Sequence, residues 1–384
     1  MRKTTVSLAV IGVAAAISLT ACGGSSGGNK SSGSSGKSES PSATTSASSS
    51  SGGSGTIDGK GAKVGIILPD TTSSPRWVTA DPDALKANCQ KYNLDCNIQN
   101  AGGSASKMQT IARQMESQHV KVLMIVDLDA ASGAKIEQEA AKNGVIPVDY
   151  DRLTPGGGAA LYISFDNVKV GQLQGKTLTQ CPEVKGQKSV KYVEIDGAPT
   201  DNNATLFKQG YDSVLRKQPG WTKVAEQTGQ WDAPTAGRVF NSMLGKNKDI
   251  KAVMVANDTM AGAVVTDLKR QSLNGQVAVS GQDATAEGLQ HIMDGDQCFT
   301  IYKPSTAEAA PAVKAIAQLA NGQAPKTSAT VVDPQTKKKV PAILATPVAI
   351  TKANVAMPIN DKYTPKKSVC TGKYAAKCSK FGVK

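Results

Sequence analysis

Residues 120–152 read VKVLMIVDLDAASGAKIEQEAAKNGVIPVDYDR, and this stretch decides the fold class. Two short β-rich runs, 120–127 and 145–151, stand on either side of a helical segment. Both runs are largely apolar at successive positions, as strands covered by helices on both faces must be. The second run ends on an acid and a base, Asp151 and Arg152, so the stretch also raises the question of what this strand end does.

The same alternation continues along the chain. Further β-rich runs are KVGIILP, DCNIQN, VKYVEIDG, TKVAEQ, IKAVMVAND, VAVSGQD and CFTIYKP. Helical segments lie between them, and in the segment 104–119 the apolar side chains recur on one helical face. Strand followed by helix, repeated, predicts an α/β protein with parallel sheets. About 320 residues follow the amino-terminal segment, which suits two domains better than one core.

The amino terminus has the features of a secretory signal. Arg2 and Lys3 precede an apolar run, 6–19, and the tetrapeptide LTAC ends at Cys22. The run is too short to cross a membrane. The LTAC box resembles bacterial lipoprotein signals, so we predict a signal peptide over 1–21 and lipid attachment at Cys22.

The segment that follows predicts a flexible tether. Of the 34 residues from 23 to 56, 24 are Gly or Ser, and no apolar periodicity is present. Such a segment cannot bury enough surface to fold. As a flexible coil it would span roughly 30 Å. We therefore expect residues 22–59 to tie a folded body to a membrane surface.

The charge distribution argues against a nucleic-acid partner. The formal net charge is +13, and the tail 361–384 alone holds seven Lys and one Asp. A surface that binds phosphates needs its basic charge spread along a groove of the fold. A Lys-rich tail is more often solvated, with contact to anionic lipid or wall polymer as the alternative.

The cysteines predict disulfides. Seven cysteines less Cys22 leave six on an exported chain. Six cysteines allow fifteen connectivities, so any pairing is a hypothesis. The pairing that we favour joins Cys89 with Cys96, Cys370 with Cys378, and Cys181 with Cys298. The sequence has no C-x-x-C motif and no Cys/His cluster, so neither a metal nor another cofactor is expected.

Polar and planar side chains follow several of the predicted strands. In parallel α/β sheets, ligands bind outside the carboxyl ends of the strands. The residues at these ends are Arg76, Trp77, Asp151, Arg152, Asp201, Asn203, Trp231, Asn257, Asp283 and Lys303. Carboxylates, amides and guanidinium groups can meet adjacent hydroxyls two at a time, and aromatic planes suit the C–H faces of a sugar. The set predicts a monosaccharide site.

The pair Asp151 and Arg152 admits two interpretations. In the first, both side chains bind the sugar and each holds the other in place. In the second, the two side chains form a solvated ion pair at a strand end. We favour the first because residues at the other strand ends share its chemistry.

Several short motifs occur in the order and approximate spacing of the D-xylose-binding proteins. They are RW, YDR followed by YISFDN, DNNATLF, NDTMAGA, SGQDA and IYKP. Over about residues 62–350 the chain thus resembles the periplasmic sugar-binding family, which includes ribose and galactose binders. The resemblance implies a type I periplasmic binding protein, not an enzyme. Such a receptor has two Rossmann-like lobes and delivers one sugar to the membrane permease of an ABC importer. By the same resemblance, the ten strand-end residues would line the site.

The topology of this family also implies how the chain divides. One lobe would comprise 60–165 with 303–341, and the other 166–302 with 342–360. Three connections near Phe165, Lys303 and Ala342 would form the hinge, and the basic tail 361–384 lies outside the resemblance. We expect a monomer, anchored by lipid to the outer face of the cytoplasmic membrane.

Three other functions compete with sugar delivery. An enzyme is disfavoured because His119 and His291 lie away from the strand ends and no G-x-S-x-G or H-E-x-x-H motif is present. A sugar-responsive repressor would need a helix-turn-helix segment where this chain has a signal and a tether. A receptor that presents sugar to a membrane kinase or chemoreceptor shares the fold and site, so the sequence leaves it open. The choice of sugar is also open, because the chain reads WDAPTAG from Trp231 where related proteins carry a second Trp.

Overall fold

The computed structural model describes residues 57–384, so the predicted signal peptide, Cys22 and the tether up to residue 56 lie outside the described residues. In the described part no helix has the length and apolar character needed to cross a membrane. The strands are β1 Ala62–Leu68, β2 Leu94–Asn100, β3 Val122–Ile125, β4 Ile146–Tyr150, β5 Leu161–Phe165, β6 Val190–Asp196, β7 Trp221–Thr228, β8 Ala252–Val255, β9 Ala278–Val279, β10 Thr300–Tyr302, β11 Ala329–Val332, β12 Lys339–Ala345 and β13 Val348–Ile350. The helices are α1 Ala80–Lys91, α2 Ala105–Ser117, α3 Ala130–Lys142, α4 Asn167–Leu178, α5 Asn202–Leu215, α6 Ala233–Lys246, α7 Asp258–Arg270, α8 Ala286–Asp294, α9 Ser305–Ala320, α10 Met357–Asn360, α11 Lys366–Val369 and α12 Tyr374–Lys380.

The first lobe is built on a seven-stranded sheet in the order β11-β12-β5-β4-β3-β1-β2. All neighbours in it are parallel except β11 and β12. Successive side chains of a strand point to opposite faces. In β1, Ile66 therefore packs in the core under α1 and α9, and Ile67 packs in the core under α2 and α3. Burial on both faces explains the continuous apolar runs, and the predicted α/β class is confirmed.

The second lobe has a four-stranded parallel sheet in the order β7-β6-β8-β9. Helices α4 to α7 cover it, with Phe207, Phe240 and Phe299 fully or almost fully buried in one core. A separate antiparallel ladder, β10 with β13, lies beside α8 in a smaller core.

The chain crosses between the lobes three times. The first crossing follows Phe165 at the end of β5, and the second follows β10 and leads into α9. The third crossing was predicted near Ala342, but β12 stays paired with β5 in the first lobe until Ala345. The strand continues because the register with β5 is unbroken, so the chain returns to the second lobe between Ala345 and Val348.

Residues 57–384 contain three disulfides, with the favoured pairing. Cys89–Cys96 joins α1 to β2, Cys181–Cys298 joins the segment after α4 to the segment before β10, and Cys370–Cys378 closes a small loop in the tail. The bond between Cys181 and Cys298 spans 117 residues of sequence.

The basic tail is folded against the second lobe. Val369 and Cys378 are buried in the same core as Leu289 and Ile292 of α8. At the end of α8, Asp294 accepts hydrogen bonds from tail side chains, including the Tyr374 hydroxyl at 2.8 Å. Six of the seven tail lysines are exposed, as expected for a solvated Lys-rich segment, whereas the apolar residues of the tail pack on α8.

Candidate functional site

A cavity lies where the carboxyl ends of the strands of both lobes face each other. It is lined by Ser73, Ser74, Arg76, Trp77, Arg152, Asp201, Asn203, Phe207, Trp231, Asn257, Gln282, Asp283 and Lys303. The structure thus brings nine of the ten predicted residues to one place, and the tenth, Asp151, contacts two of them.

The space inside is narrow. Its volume is about 30 Å³. Sites for small molecules usually offer roughly 300–1,000 Å³. The lobes must therefore part, or the lining side chains must move, for a sugar to enter.

Asp151 and Arg152 do not hold each other in place as expected. Asp151 accepts a hydrogen bond from Arg76 Nη1 at 2.8 Å, whereas Arg152 Nε lies 3.0 Å from Asp201 Oδ2. The second contact is an ion pair without the angle of a hydrogen bond. The backbone of Asp151 has φ +62°, a left-handed conformation at the strand end. We infer that this turn directs the two adjacent side chains to different partners.

Both members of the dipeptide connect the lobes. Arg152 reaches Asp201 at the start of α5, and Asn203 Nδ2 donates to the carbonyl oxygen of Asp151 at 3.0 Å and to its carboxylate at 3.1 Å. Burial alone would raise the pKa of Asp151, but the charges of Lys303, Arg76 and Arg152 outweigh it and lower that pKa. The carboxylate is thus kept ionised although it is buried.

Arg76 is the centre of a buried charge cluster. Its Nε and Nη2 donate to both oxygens of Asp81 at 2.7 and 2.6 Å, and its Nη2 also donates to Glu308 of α9 at 2.5 Å. Burial would lower the pKa of Arg76, but Asp81, Glu308 and Asp151 together raise it. The guanidinium carbon lies 4.5 Å from the centre of the Trp77 ring, so the same contacts that fix Arg76 also fix that ring.

Glu308→Gln is expected to change how stability depends on pH. Burial raises the pKa of Glu308 to about 8, against the opposing effect of Arg76. The folded state therefore binds more protons than the unfolded chain between pH 4.5 and about 8, so this carboxyl's contribution to stability falls as pH rises through that window. Gln has no such proton, so the stability of the variant relative to the wild type should increase from pH 6 to pH 9.

Urea titrations of both proteins at these two pH values measure the difference. Exposed Asp95→Asn is the control and should have the stability of the wild type at both pH values. Equal differences between Glu308→Gln and the wild type at pH 6 and pH 9 would show that Glu308 is ionised throughout.

On the second lobe, Asp201 and Trp231 fix each other. Asp201 caps α5 by accepting from the backbone N–H of Asn203 at 2.8 Å, and it accepts from Trp231 Nε1 at 3.1 Å. Burial raises the pKa of Asp201, with Arg152 opposing the shift. Gly197 lies so close to the Trp231 ring that a Cβ there would overlap it, so only Gly permits this ring position.

Asp283 and Lys303 complete the lining between the lobes. Lys303 Nζ lies 3.6 Å from Asp283 Oδ1 and 5.3 Å from the centre of the Phe207 ring. Asp283 has φ +95° and Trp231 has φ +58°, so these two residues, like Asp151, adopt backbone conformations that most residues avoid. Such conformations cluster where a structure places side chains for function.

One further hydrogen bond joins the lobes at the cavity. Asn257 caps α7 through Oδ1, and its Nδ2 donates to the carbonyl oxygen of Ser73 at 3.0 Å. One amide thus orders a helix of the second lobe and contacts a loop of the first. Separation of the lobes would therefore break the hydrogen bond from Asn257 to Ser73.

Sequence reasoning missed four lining residues. Phe207 follows Asn203 by four positions and shares its helix face, a spacing that could have identified it. Gln282 directly precedes Asp283, and this position beside a predicted site residue could have identified it. Ser73 and Ser74 lie in the loop before Arg76, where loop conformation and not periodicity decides what reaches the cavity.

The lining suits a neutral ligand with several hydroxyl groups. Cationic side chains and carboxylates are both present, so neither sign of charge dominates the cavity. Two Trp rings and Phe207 offer apolar faces among these polar groups. The lining residues include no His or Cys, which leaves no nucleophile with a neighbouring base of the usual kind.

Two groups elsewhere in residues 57–384 have the spacing of metal ligands. In the first, the two cysteines form the Cys181–Cys298 disulfide. In the second, Lys208 Nζ lies 2.9 Å from Glu194 and 2.8 Å from Glu226, so a cation already neutralises the acids. Neither group is suited to hold a metal ion.

Comparison with known proteins agrees with this fold. Residues 64–324 match the family described as periplasmic binding protein domain. The chain is 33% identical to the D-xylose-binding periplasmic protein of Escherichia coli over 301 residues, which cover 77% of this chain and 88% of that protein. It is 29% identical to a multiple sugar-binding periplasmic receptor of Rhizobium radiobacter over 310 residues, 76% of this chain and 87% of that receptor.

A solved structure is similar over the same region. The carbohydrate transporter solute-binding protein from Chloroflexus aurantiacus, in complex with D-glucose, has a TM-score of 0.71 and 26% identity. The similarity covers 79% of this chain and 97% of that one. The family match spans more than half of the chain, and the relatives align over most of their length. The chain therefore belongs to the periplasmic binding protein family, whose members bind substrates for transport and are not enzymes.

Proposed function

We propose that this protein binds one neutral monosaccharide between its lobes and delivers it to the membrane permease of an ABC importer. The observation that carries the proposal is the convergence of nine strand-end residues, from both lobes, on one cavity. A ligand that contacts both lobes stabilises their closed arrangement, and a permease can recognise that arrangement.

Different lining residues bind different parts of the sugar. Asp201 and Asp283 accept hydrogen bonds from sugar hydroxyls, while Arg152, Asn203, Asn257 and Lys303 donate to sugar oxygens. Trp77 and Trp231 cover the two C–H faces of the ring. Arg76 holds Trp77 and Asp151 in position, and Asp151 acts with them as part of the site.

The first candidates for the ligand are D-xylose and D-glucose. The Escherichia coli relative is named for D-xylose, and the Chloroflexus aurantiacus protein is in complex with D-glucose. The two sugars present the same ring hydroxyls and differ by one hydroxymethyl group.

In a thermal-shift screen of pentoses and hexoses, one or two sugars are expected to raise the melting temperature clearly. A ligand that binds only the folded protein stabilises it by about 4 kcal/mol at a thousandfold excess over its dissociation constant. Millimolar xylose or glucose should therefore raise the melting temperature by several degrees. Sorbitol at equal concentration is the control for general solute effects. If every monosaccharide behaves like sorbitol, the proposed function is wrong.

We further propose that the protein is exported and held at the cell surface as a monomer. The support is the signal-like segment 1–21, the LTAC box at Cys22 and the Gly/Ser-rich segment up to residue 56. A lipid on Cys22 and the flexible segment would keep the folded body near the permease while leaving it free to rotate.

A sugar-sensing receptor is the second candidate. The relative from Rhizobium radiobacter, which is named a receptor, favours it. Deletion of the protein separates the two outcomes. If the cells no longer take up the sugar that gives the largest thermal shift, transport is supported. If uptake is intact but a transcriptional or chemotactic response to that sugar is lost, sensing is supported.

A further inference from the structure

A second, larger cavity adjoins the sugar site at the mouth of the cleft. Its volume is about 510 Å³, compared with about 30 Å³ for the sugar site. The two cavities share Ser74, Arg76 and Asp283 as lining residues. The two cavities therefore adjoin each other at these three residues.

Three parts of the chain form the outer cavity. The loop before and within the short 3-10 helix Pro75–Val78 supplies one side, the start of α8 supplies another, and tail residues including Tyr363 and Ser368 supply the third. The tail lies outside the region that matches the family, which ends at residue 324. This cavity is thus partly a product of the chain's own carboxyl-terminal extension.

The lining of the outer cavity has the chemistry of a carbohydrate subsite. Hydroxyl groups face it from both lobes, among them Thr72, Thr259 and Thr285. Apolar surface lies between them, and Val78 is 51% exposed there. A sugar ring presents this same mixture, hydroxyls at its edge and C–H groups on its faces, so the wall matches it better than it matches an ion or a purely apolar molecule.

Tyr363 supplies an aromatic ring to this wall. The ring packs edge-on against Tyr302 with centroids 5.0 Å apart, and the next residue, Thr364, donates through Oγ1 to Ala284 O at 2.7 Å. Burial raises the pKa of Tyr363, with Arg76 opposing and Asp283 adding to the shift. Arg76 and Asp283, which also line the sugar site, line the outer cavity together with Tyr363.

The tail is held firmly enough to act as a wall. The disulfide Cys370–Cys378 closes its loop, and Gln290 Nε2 of α8 donates to Val369 O at 2.8 Å. Tyr374 contacts Asp294 on the same helix. A fixed wall loses little conformational entropy when a ligand packs against it.

We propose that the outer cavity is a second sugar subsite and that the preferred ligand is a disaccharide. One ring occupies the inner cavity, and the second ring lies in the outer cavity against Tyr363. This inference rests on the proposed function, because it requires the inner cavity to bind a sugar ring.

Isothermal titration calorimetry of the full exported chain tests the proposal. The probes are D-xylose with xylobiose, and D-glucose with cellobiose and maltose. At least one disaccharide is expected to bind ten times more tightly than its monosaccharide. In Tyr363→Ala this advantage should fall at least fivefold, whereas affinity for the monosaccharide should stay within twofold.

Two further variants make the test specific. Val78→Trp fills the outer cavity from an exposed position, so it should remove the disaccharide's advantage even if Tyr363→Ala fails to fold. Lys380→Ala shortens an exposed side chain of the same tail outside both cavities, and it should leave both affinities unchanged.

The outcomes separate this inference from the proposed function. Binding of a monosaccharide with no tighter binding of any disaccharide overturns the second subsite and leaves the proposed function standing. Equal losses for both ligand sizes in Val78→Trp also overturn the subsite. If neither ligand size binds, both proposals are wrong.

Discussion

Asp283→Asn is expected to weaken monosaccharide binding by about 30-fold to 1,000-fold, which corresponds to about 2–4 kcal/mol. Asp283 is buried, lines the cavity and lies 3.6 Å from Lys303. Removal of its charge weakens the hydrogen bonds to sugar hydroxyls and leaves the buried Lys303 ammonium without this carboxylate. Asn is the right replacement because, unlike Ala, it tolerates a positive φ. The melting temperature of the free protein should therefore change by only a few degrees.

Calorimetry with the sugar that gives the largest thermal shift measures the loss of affinity. Asp296→Asn is the matched control. Asp296 is also a buried carboxylate of the second lobe, 2.7 Å from Lys269, but it does not line the cavity. That variant should bind as the wild type does. Wild-type affinity in Asp283→Asn would remove Asp283 from the site. A large drop in melting temperature would instead assign it a structural role.

Replacing Cys181 and Cys298 together by Ala is expected to lower the free energy of unfolding by about 5 kcal/mol. This disulfide closes a loop of 117 residues, whereas Cys89–Cys96 closes one of 7. A cross-link stabilises mainly by limiting the unfolded chain, and its effect grows with the logarithm of the loop length. The same relation gives about 2.5 kcal/mol for the short loop.

Denaturant titration of the two double variants provides the comparison. The variant without Cys89–Cys96 is the matched control, because one cysteine of each pair is almost fully buried. The variant without Cys181–Cys298 should lose about twice as much stability. Equal losses in the two variants would show that local packing, and not loop length, determines what each bond contributes.

The sequence predicted the fold and the place of the site for clear physical reasons. Strands that are buried on both faces are largely apolar at successive positions, so β3 and β8 were visible as continuous runs. Parallel strands bring their carboxyl ends to one edge, so residues far apart in sequence, such as Trp77 and Trp231, could be assigned to one cavity. The structure confirms that they meet there.

Partner choice within the site could not be predicted. Asp151 and Arg152 are adjacent, and a local pair was the natural expectation. Instead, Asp151 has a left-handed backbone and pairs with Arg76, and Arg152 pairs with Asp201. The backbone conformation and both buried partners depend on tertiary structure. Sequence patterns also miss the docked tail, because α11 and α12 are too short to show a helical period.

The three crossings between the lobes have a mechanical consequence. A single linker would let the lobes swivel in every direction, whereas three connections confine them to bending about one axis. Two of the crossings contain Pro304 and Pro347, whose rings fix one backbone torsion each. Few rotational degrees of freedom then remain to be lost when the lobes close. More of the energy of contact with the sugar therefore appears as affinity.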